Sequence, residues 1–346
     1  MKISDFRKNV SLAEKTTFKV GGVAEYYCEV DNEKALVKAV RFAKEKKLPI
    51  FILGGGSNVL LSDKGIKGLV IKFTGRGVRV VKESSNSVVL EVQAGEVWDD
   101  LVKYTVKKKL QGIECLSGIP GTVGAAPVQN IGAYGQEMKD VFRKLAAFDR
   151  KRDKVVVFFK DDCQFGYRDS IFKKNNDKGR YIIMSVVIAL NKGKKASITY
   201  NTLTNYLNRK KITSPSIADV RTAVLALRKL KLEDPNNKCN AGSFFKNPII
   251  DTRTFKLLKV KNSEMPFFEL KGGKYKIFAG WLIEKAGWKG KKYGNASVSK
   301  KNALVITNPE GKASSEEINQ LSNKIIEDIK MKYGVELESE IQVVGG

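Results

Sequence analysis

The chain of 346 residues is longer than one ordinary hydrophobic core grows, and its 42% of apolar side chains is enough to fill two or three packed subdomains. It has no histidine, which excludes a Ser-His-Asp triad, a Cys-His pair and any histidine-ligated metal, so proton chemistry falls to Ser, Lys, Tyr, Asp, Glu or Cys. The formal net charge of +26 raises a nucleic-acid-binding protein as an alternative, yet the lysines are dispersed, with short clusters such as Lys107-Lys108-Lys109 and Lys291-Lys292 and no basic arm or recognition motif. The charge reads as a lysine-biased solvated surface, and no nucleic-acid partner is expected.

Four cysteines, Cys28, Cys115, Cys163 and Cys239, stand far apart without CxxC spacing. Neither a disulfide framework nor a metal site is expected, and the thiols read as reduced and packed. With no apolar leader-like segment and no run of about 18 apolar residues, the expectation is a cytoplasmic protein with no membrane segment.

In chain order, Lys34 to Lys47 has the apolar spacing of an amphipathic helix, and Pro49-Ile50-Phe51-Ile52-Leu53 reads as a buried strand. Directly after it come Gly54-Gly55-Gly56-Ser57-Asn58. Consecutive glycines there allow positive φ and let backbone N–H groups converge on an anion, so the turn is either a phosphate cradle or a tight strand-to-loop connection. It lacks the Lys-Ser/Thr of a P-loop and the glycine spacing of the dinucleotide fingerprint.

Strands are expected at Leu69-Val70-Ile71 and Val78 to Val81, with a turn at Ser84 to Ser87 leading into a strand from Val88 to Ala94. Gly95 to Lys109 has helical spacing and places Trp98 in the core. Gly112 to Gly135 follows, long, glycine-rich and poor in charge, as expected of backbone running close against a flat ligand. Val141 to Asp149 and Lys154 to Phe159 read as a hairpin, Tyr181 to Leu190 as a strand and Asp219 to Leu232 as a helix. The polar Glu233 to Lys238 marks a boundary. The last helix runs from about Ser314, with a Ser314–Glu317 capping box, to a stop at Gly334, and a short strand follows Glu340.

The pairing of Gly-Gly-Gly-Ser-Asn with Gly118-Ile119-Pro120-Gly121-Thr122-Val123-Gly124 and Gln129-Asn130-Ile131-Gly132-Ala133-Tyr134-Gly135 resembles the UDP-N-acetylenolpyruvoylglucosamine reductase family of bacterial peptidoglycan precursor synthesis. The resemblance runs from Thr17-Phe18-Lys19-Val20-Gly21-Gly22 to Leu337-Glu338-Ser339-Glu340. It implies an α+β fold of the vanillyl-alcohol-oxidase (PCMH) type, with FAD-binding subdomains at 1–72 (plus the strand 341–346) and 73–228 and a substrate-binding domain at 229–340. It also implies FAD as cofactor, NADPH as co-substrate, a nucleotide-sugar substrate, a bacterial cytoplasmic setting and a monomer. The implied FAD contacts are Gly54, Gly55, Gly56, Ser57, Asn58, Gly118, Ile119, Pro120, Gly121, Gly124, Ala125, Gln129, Asn130, Ile131, Gly132 and Tyr134. An oxidase or dehydrogenase of the same superfamily acting on another substrate is the alternative, against which the Ser243 and Glu340 motifs count.

Three residues carry the implied catalysis. Arg168, in Phe165-Gly166-Tyr167-Arg168-Asp169, reads by itself as a surface or structural ion-pair residue; the resemblance makes it the holder of the substrate carboxylate, a task suited to a bidentate fork. Ser243, in Asn240-Ala241-Gly242-Ser243-Phe244-Phe245-Lys246-Asn247-Pro248, reads by itself as a turn or cap residue; the resemblance makes it the proton donor. A serine needs its conjugate base stabilised for that role, and Lys246 and Lys231 are the candidates. Glu338 and Glu340 alternate on what reads as one strand face, and the resemblance selects Glu340. Implied substrate contacts are Tyr167, Tyr200, Lys231 and Asn247, placing the chain in the branch with a tyrosine loop and a serine acid. Thr16 and Asn302 depart from residues often found at their positions in the family.

Overall fold

A computed structural model describes residues 5–174, 177, 179–193 and 198–345. The chain divides into two compact units. The first comprises residues up to Val10 with Ala24–Gly55 and Lys67–Lys229; the second comprises Ser11–Val23, Gly56–Ile66 and the chain from Leu230 onward.

In the first unit, the helix Glu33–Glu45 starts where the Asn32 side chain accepts the Ala35 N–H at 3.0 Å, and it buries Leu36, Ala39, Val40 and Ala43. Its neighbouring sheet has the order Arg7–Ser11, Val23–Val30, Ile66–Phe73, Ile50–Leu53, with Ile50–Leu53 parallel to Ile66–Phe73. The apolar run before the glycines is therefore an edge strand. Only Leu53 of it is buried, because a strand with one neighbour leaves its outer flank uncovered, and the fully buried strand expected from the apolar run is corrected.

A six-stranded antiparallel sheet follows, in the order Lys154–Phe159, Phe142–Asp149, Tyr181–Lys192, Ser87–Gln93, Val78–Glu83, with Leu110–Gln111 beside Tyr181–Lys192. Trp98 opens the helix Trp98–Lys107 and is 1% exposed, with its indole N–H donating to the Leu116 carbonyl at 3.0 Å. A smaller core of Leu203, Leu207, Val220, Ala223, Val224 and Leu227 joins the helices Asn201–Arg209 and Ile217–Lys231 to Cys115.

In the second unit, the sheet order is Cys239–Ser243, Val305–Asn308, Ala296–Val298, Lys292–Tyr293. A three-stranded sheet of Ile249–Asp251, Lys274–Ile277 and Phe267–Leu270 adjoins the helix Thr252–Lys261, and Gln342–Val344 pairs parallel with Val59–Leu61. The helix Ser315–Tyr333 has the expected capping box, Ser314 with Glu317, and ends at Gly334 in the left-handed region, φ +67°. It buries Ile318, Leu321, Ile325 and Ile329 among Phe18, Phe244, Phe245, Leu282 and Ile283. Glu338 and Glu340 do not share a strand face as the alternation implied: 335–338 is irregular, Ser339 forms an isolated bridge to Phe245, and the strand starts at Gln342.

Among the described residues, no helix is long and apolar enough to cross a membrane and no cluster of metal-ligating side chains occurs.

Candidate active site

The first unit brings the two glycine-rich stretches together. A Cβ added at Gly55 would stand 2.7 Å from Gly121 Cα, and one at Gly54 would meet Thr122 Oγ1 at 3.3 Å and Ala125 Cβ at 3.4 Å. Gly124 lies against Ala94, where a Cβ would approach to 2.6 Å. Bare backbone is thus required on both sides of this contact, and the same bareness lets main-chain groups reach a ligand. In the second unit, Gly56 adopts φ +67° with Lys15 O where its Cβ would be. Ser57 is half-buried, and the Asn58 side chain donates to the Glu340 carbonyl at 3.3 Å.

The rest of the second stretch is fixed by polar side chains. Asn130, fully buried at φ +44°, donates to Glu137 Oε2 and to the Gly166 carbonyl and accepts the Lys139 N–H, so its side chain is spent inside the protein. Ile131 is buried, Gln129 and Ile119 are half-buried, and Pro120 is exposed. The Gly118 N–H, at φ +70°, donates to Asp99 at 2.6 Å, and Asp99 receives both arms of Arg221 at 2.7 and 2.8 Å. Burial pushes the Asp99 carboxyl up, and Arg221, the Gly118 N–H and Arg228 together outweigh it and hold the group below its ordinary value. Arg228 lies beside the same glycine. Composition hides this network; its one sequence signal is that Arg221 and Arg228 are seven residues apart on one helix face.

Arg168 sits at φ +52°, an uncommon conformation for a side-chain-bearing residue. The turn is closed by the Gly166 N–H donating to the Asp169 carbonyl at 3.0 Å and by Lys173 Nζ donating to the Arg168 carbonyl at 3.2 Å. Its guanidinium donates to the Gly132 carbonyl and lies 5.4 Å from the Tyr167 ring centroid. Arg168 is therefore joined to the glycine stretch. Tyr134, two residues past Gly132, meets Tyr200 edge-on with centroids 5.6 Å apart, and burial raises the pKa of both hydroxyls.

In the second unit, Ser243 closes the strand Cys239–Ser243 beside Val305, the Phe244 carbonyl accepts the Glu340 N–H at 2.8 Å, and Asn247 Oδ1 accepts the Ala279 N–H at 3.1 Å. Ser243 and Glu340 thus share one neighbour, Phe244. Lys246 is ion-paired with Glu338, which binds its charge and leaves Glu338 largely exposed, so Lys246 is a weaker aid to Ser243 than its spacing suggested. Lys231, exposed, is the last residue of its helix.

Residues 24–157 match the family model of an FAD binding domain, which defines the class as a flavoprotein and fits the bare-backbone cradle of the two glycine stretches. Residues 234–344 match the C-terminal domain of UDP-N-acetylenolpyruvoylglucosamine reductase. The chain is 39% identical to the UDP-N-acetylenolpyruvoylglucosamine reductase of Pseudomonas aeruginosa over 97% of its own length and 98% of that protein. It is 40% identical to that of Flavobacterium johnsoniae over 98% and 100%. The chain belongs to the UDP-N-acetylenolpyruvoylglucosamine reductase family and is an FAD-dependent oxidoreductase. Its fold is that of the Thermus caldophilus reductase crystal structure, with a TM-score of 0.69 at 24% identity over 98% of this chain and 100% of that one.

Proposed function

We propose that this enzyme reduces the enolpyruvyl double bond of UDP-N-acetylglucosamine-enolpyruvate to give UDP-N-acetylmuramate, with NADPH as the hydride source, in peptidoglycan precursor synthesis. Bound FAD supplies hydride transfer, which protein side chains cannot perform. Hydride added to the terminal alkene carbon leaves negative charge on the carbon bearing the carboxylate. Arg168 holds that carboxylate and stabilises the developing charge. Ser243 gives its hydroxyl proton to the charged carbon and regains one from solvent, and Glu340 orients the intermediate. Tyr167, Tyr200, Lys231 and Asn247 bind substrate, with the diphosphate falling to Tyr200 and Lys231. In this reading 1–72 and 73–228 carry the flavin, and 229–340 the substrate.

The observation that supports the reading most is the Arg168 guanidinium bound to Gly132 within the glycine stretch of the FAD-binding region. The test is anaerobic: the FAD-loaded enzyme is reduced with NADPH and then mixed with UDP-N-acetylglucosamine-enolpyruvate. Prompt flavin reoxidation with UDP-N-acetylmuramate formed is expected. A flavin that stays reduced would refute the substrate, and one that NADPH cannot reduce would refute the hydride source.

A further inference from the structure

We propose that Asn240 is the positioning residue that aims Ser243, an inference that rests on reading Ser243 as the proton donor. Asn240 pairs with Thr307 and Ser243 with Val305, so the strand advances three residues while its partner moves two. That extra residue is a β-bulge, a device that re-aims the side chain following it. Gly242 forms it at φ +77°, with nothing within 4 Å of where a Cβ would stand, so backbone conformation and not space demands glycine.

A bulge leaves a ladder N–H to be satisfied elsewhere, and Asn240 does this. Its Oδ1 accepts the Gly242 N–H at 2.9 Å, while its Nδ2 donates to the Lys238 carbonyl at 2.7 Å and, at 3.4 Å, to the Glu233 carbonyl. The side chain is 2% exposed, and its backbone N–H donates to Thr17 O. Only an amide offers an acceptor toward Gly242 and two donors toward carbonyls at once. The far end of this brace is fixed as well. The buried Glu233 carboxylate accepts the Ser299 hydroxyl at 2.9 Å, with the amines of Lys301 and Lys238 at 3.6 and 3.8 Å.

The experiment compares Asn240→Ala, Gly242→Ala and Ser243→Ala as FAD-loaded enzymes. It reads flavin reduction by NADPH, flavin reoxidation by UDP-N-acetylglucosamine-enolpyruvate, and the solvent deuterium isotope effect on the second step. Expected for Asn240→Ala and Gly242→Ala are unchanged reduction, reoxidation slowed by up to about 10²-fold and an increased isotope effect, as for a misplaced proton donor. Should Asn240→Ala not fold, Asn240→Asp, which keeps the acceptor toward Gly242 and removes both donors toward the Lys238 and Glu233 carbonyls, decides in its place. Wild-type reoxidation in both, or an equal fall of both half-reactions with lost flavin, overturns the inference while a stalled Ser243→Ala keeps the function. Wild-type reoxidation in Ser243→Ala instead overturns its reading as donor, and the inference with it.

Discussion

Arg168 and Ser243 each depend on a left-handed backbone residue, but the two corners place it differently. At Arg168 the positive φ falls on the proposed carboxylate holder itself, and hydrogen bonds from Gly166 and Lys173 across its turn hold it there. At Ser243 the positive φ falls on the preceding glycine, and a buried amide holds the turn from behind. A side chain in the left-handed region costs about 1–2 kcal/mol relative to the right-handed one, so the arginine corner stores strain that the serine corner avoids. A large side chain that must reach along a fixed direction justifies the cost, whereas a hydroxyl needs only correct aim.

The largest expected effect tests the serine corner. Ser243→Ala removes the proposed proton donor, so reoxidation by substrate falls by about 10²–10⁴-fold while flavin reduction by NADPH keeps its rate. Stopped-flow absorbance of the two half-reactions checks it; loss of reduction would mean that Ser243 serves the flavin instead. Arg168→Ala follows, with about 10²–10³-fold lost from the same half-reaction. Arg168→Lys is not expected to restore it, because an ammonium lacks the fork that could hold the Gly132 carbonyl and the proposed carboxylate together. Recovery by lysine would reduce the arginine corner to a point charge and erase the contrast with the serine.

Features set by neighbouring residues were legible in the sequence, and long-range fastening was not. The capped helix from Ser314 to Gly334, the hairpin across Asp149 and Lys154 and the buried Trp98 follow from periodicity and cap chemistry, which act over a few residues. The edge position of Ile50–Leu53 depends on sheet order, which an apolar run does not encode. The bulge at Gly242 looks like any Gly-Ser turn until the register with Val305 is known. Asp99 and Arg221 are 122 residues apart, and nothing local marks them as a pair. Their acid and base types are common in a chain where 29% of residues are charged, so only the fold singles them out. The family motifs supplied the site residues, and those remain assignments for the experiments above.

A smaller effect probes the other end of the glycine stretch that Arg168 joins, where Asp99 ties Gly118 to Arg221. Asp99→Asn is expected to lower stability at pH 7 by about 1–3 kcal/mol, the range for weakening a partly buried, charge-assisted hydrogen bond. The sign with pH follows from the lowered carboxyl. Its contribution is complete above the ordinary aspartate value, near 4, and is lost as pH falls through the depressed native value. Urea unfolding of both proteins at descending pH should show the gap closing in acid. A gap constant from pH 7 to 3 would assign the effect to packing, and the Gly118 loop would then rest on shape alone.

The smallest effect needs no substitution. Cys115 lies within the glycine stretch, 1% exposed, and burial pushes its thiol up to about 12; Cys28 and Cys163 are likewise buried and raised to about 12. Cys239, half-buried, opens the strand that ends at Ser243. Thiolate is the reactive form, so three cysteines should be inert and one should react when the native protein is treated with a thiol-specific chromogenic disulfide at pH 8. Modification at Cys239 should leave flavin reduction intact and slow reoxidation only slightly, because three residues, among them the bracing Asn240, separate it from Ser243. Rapid labelling of Cys115 would show that the glycine stretch opens in the native state, and the rigidity ascribed to the arginine corner would then belong to the serine corner alone.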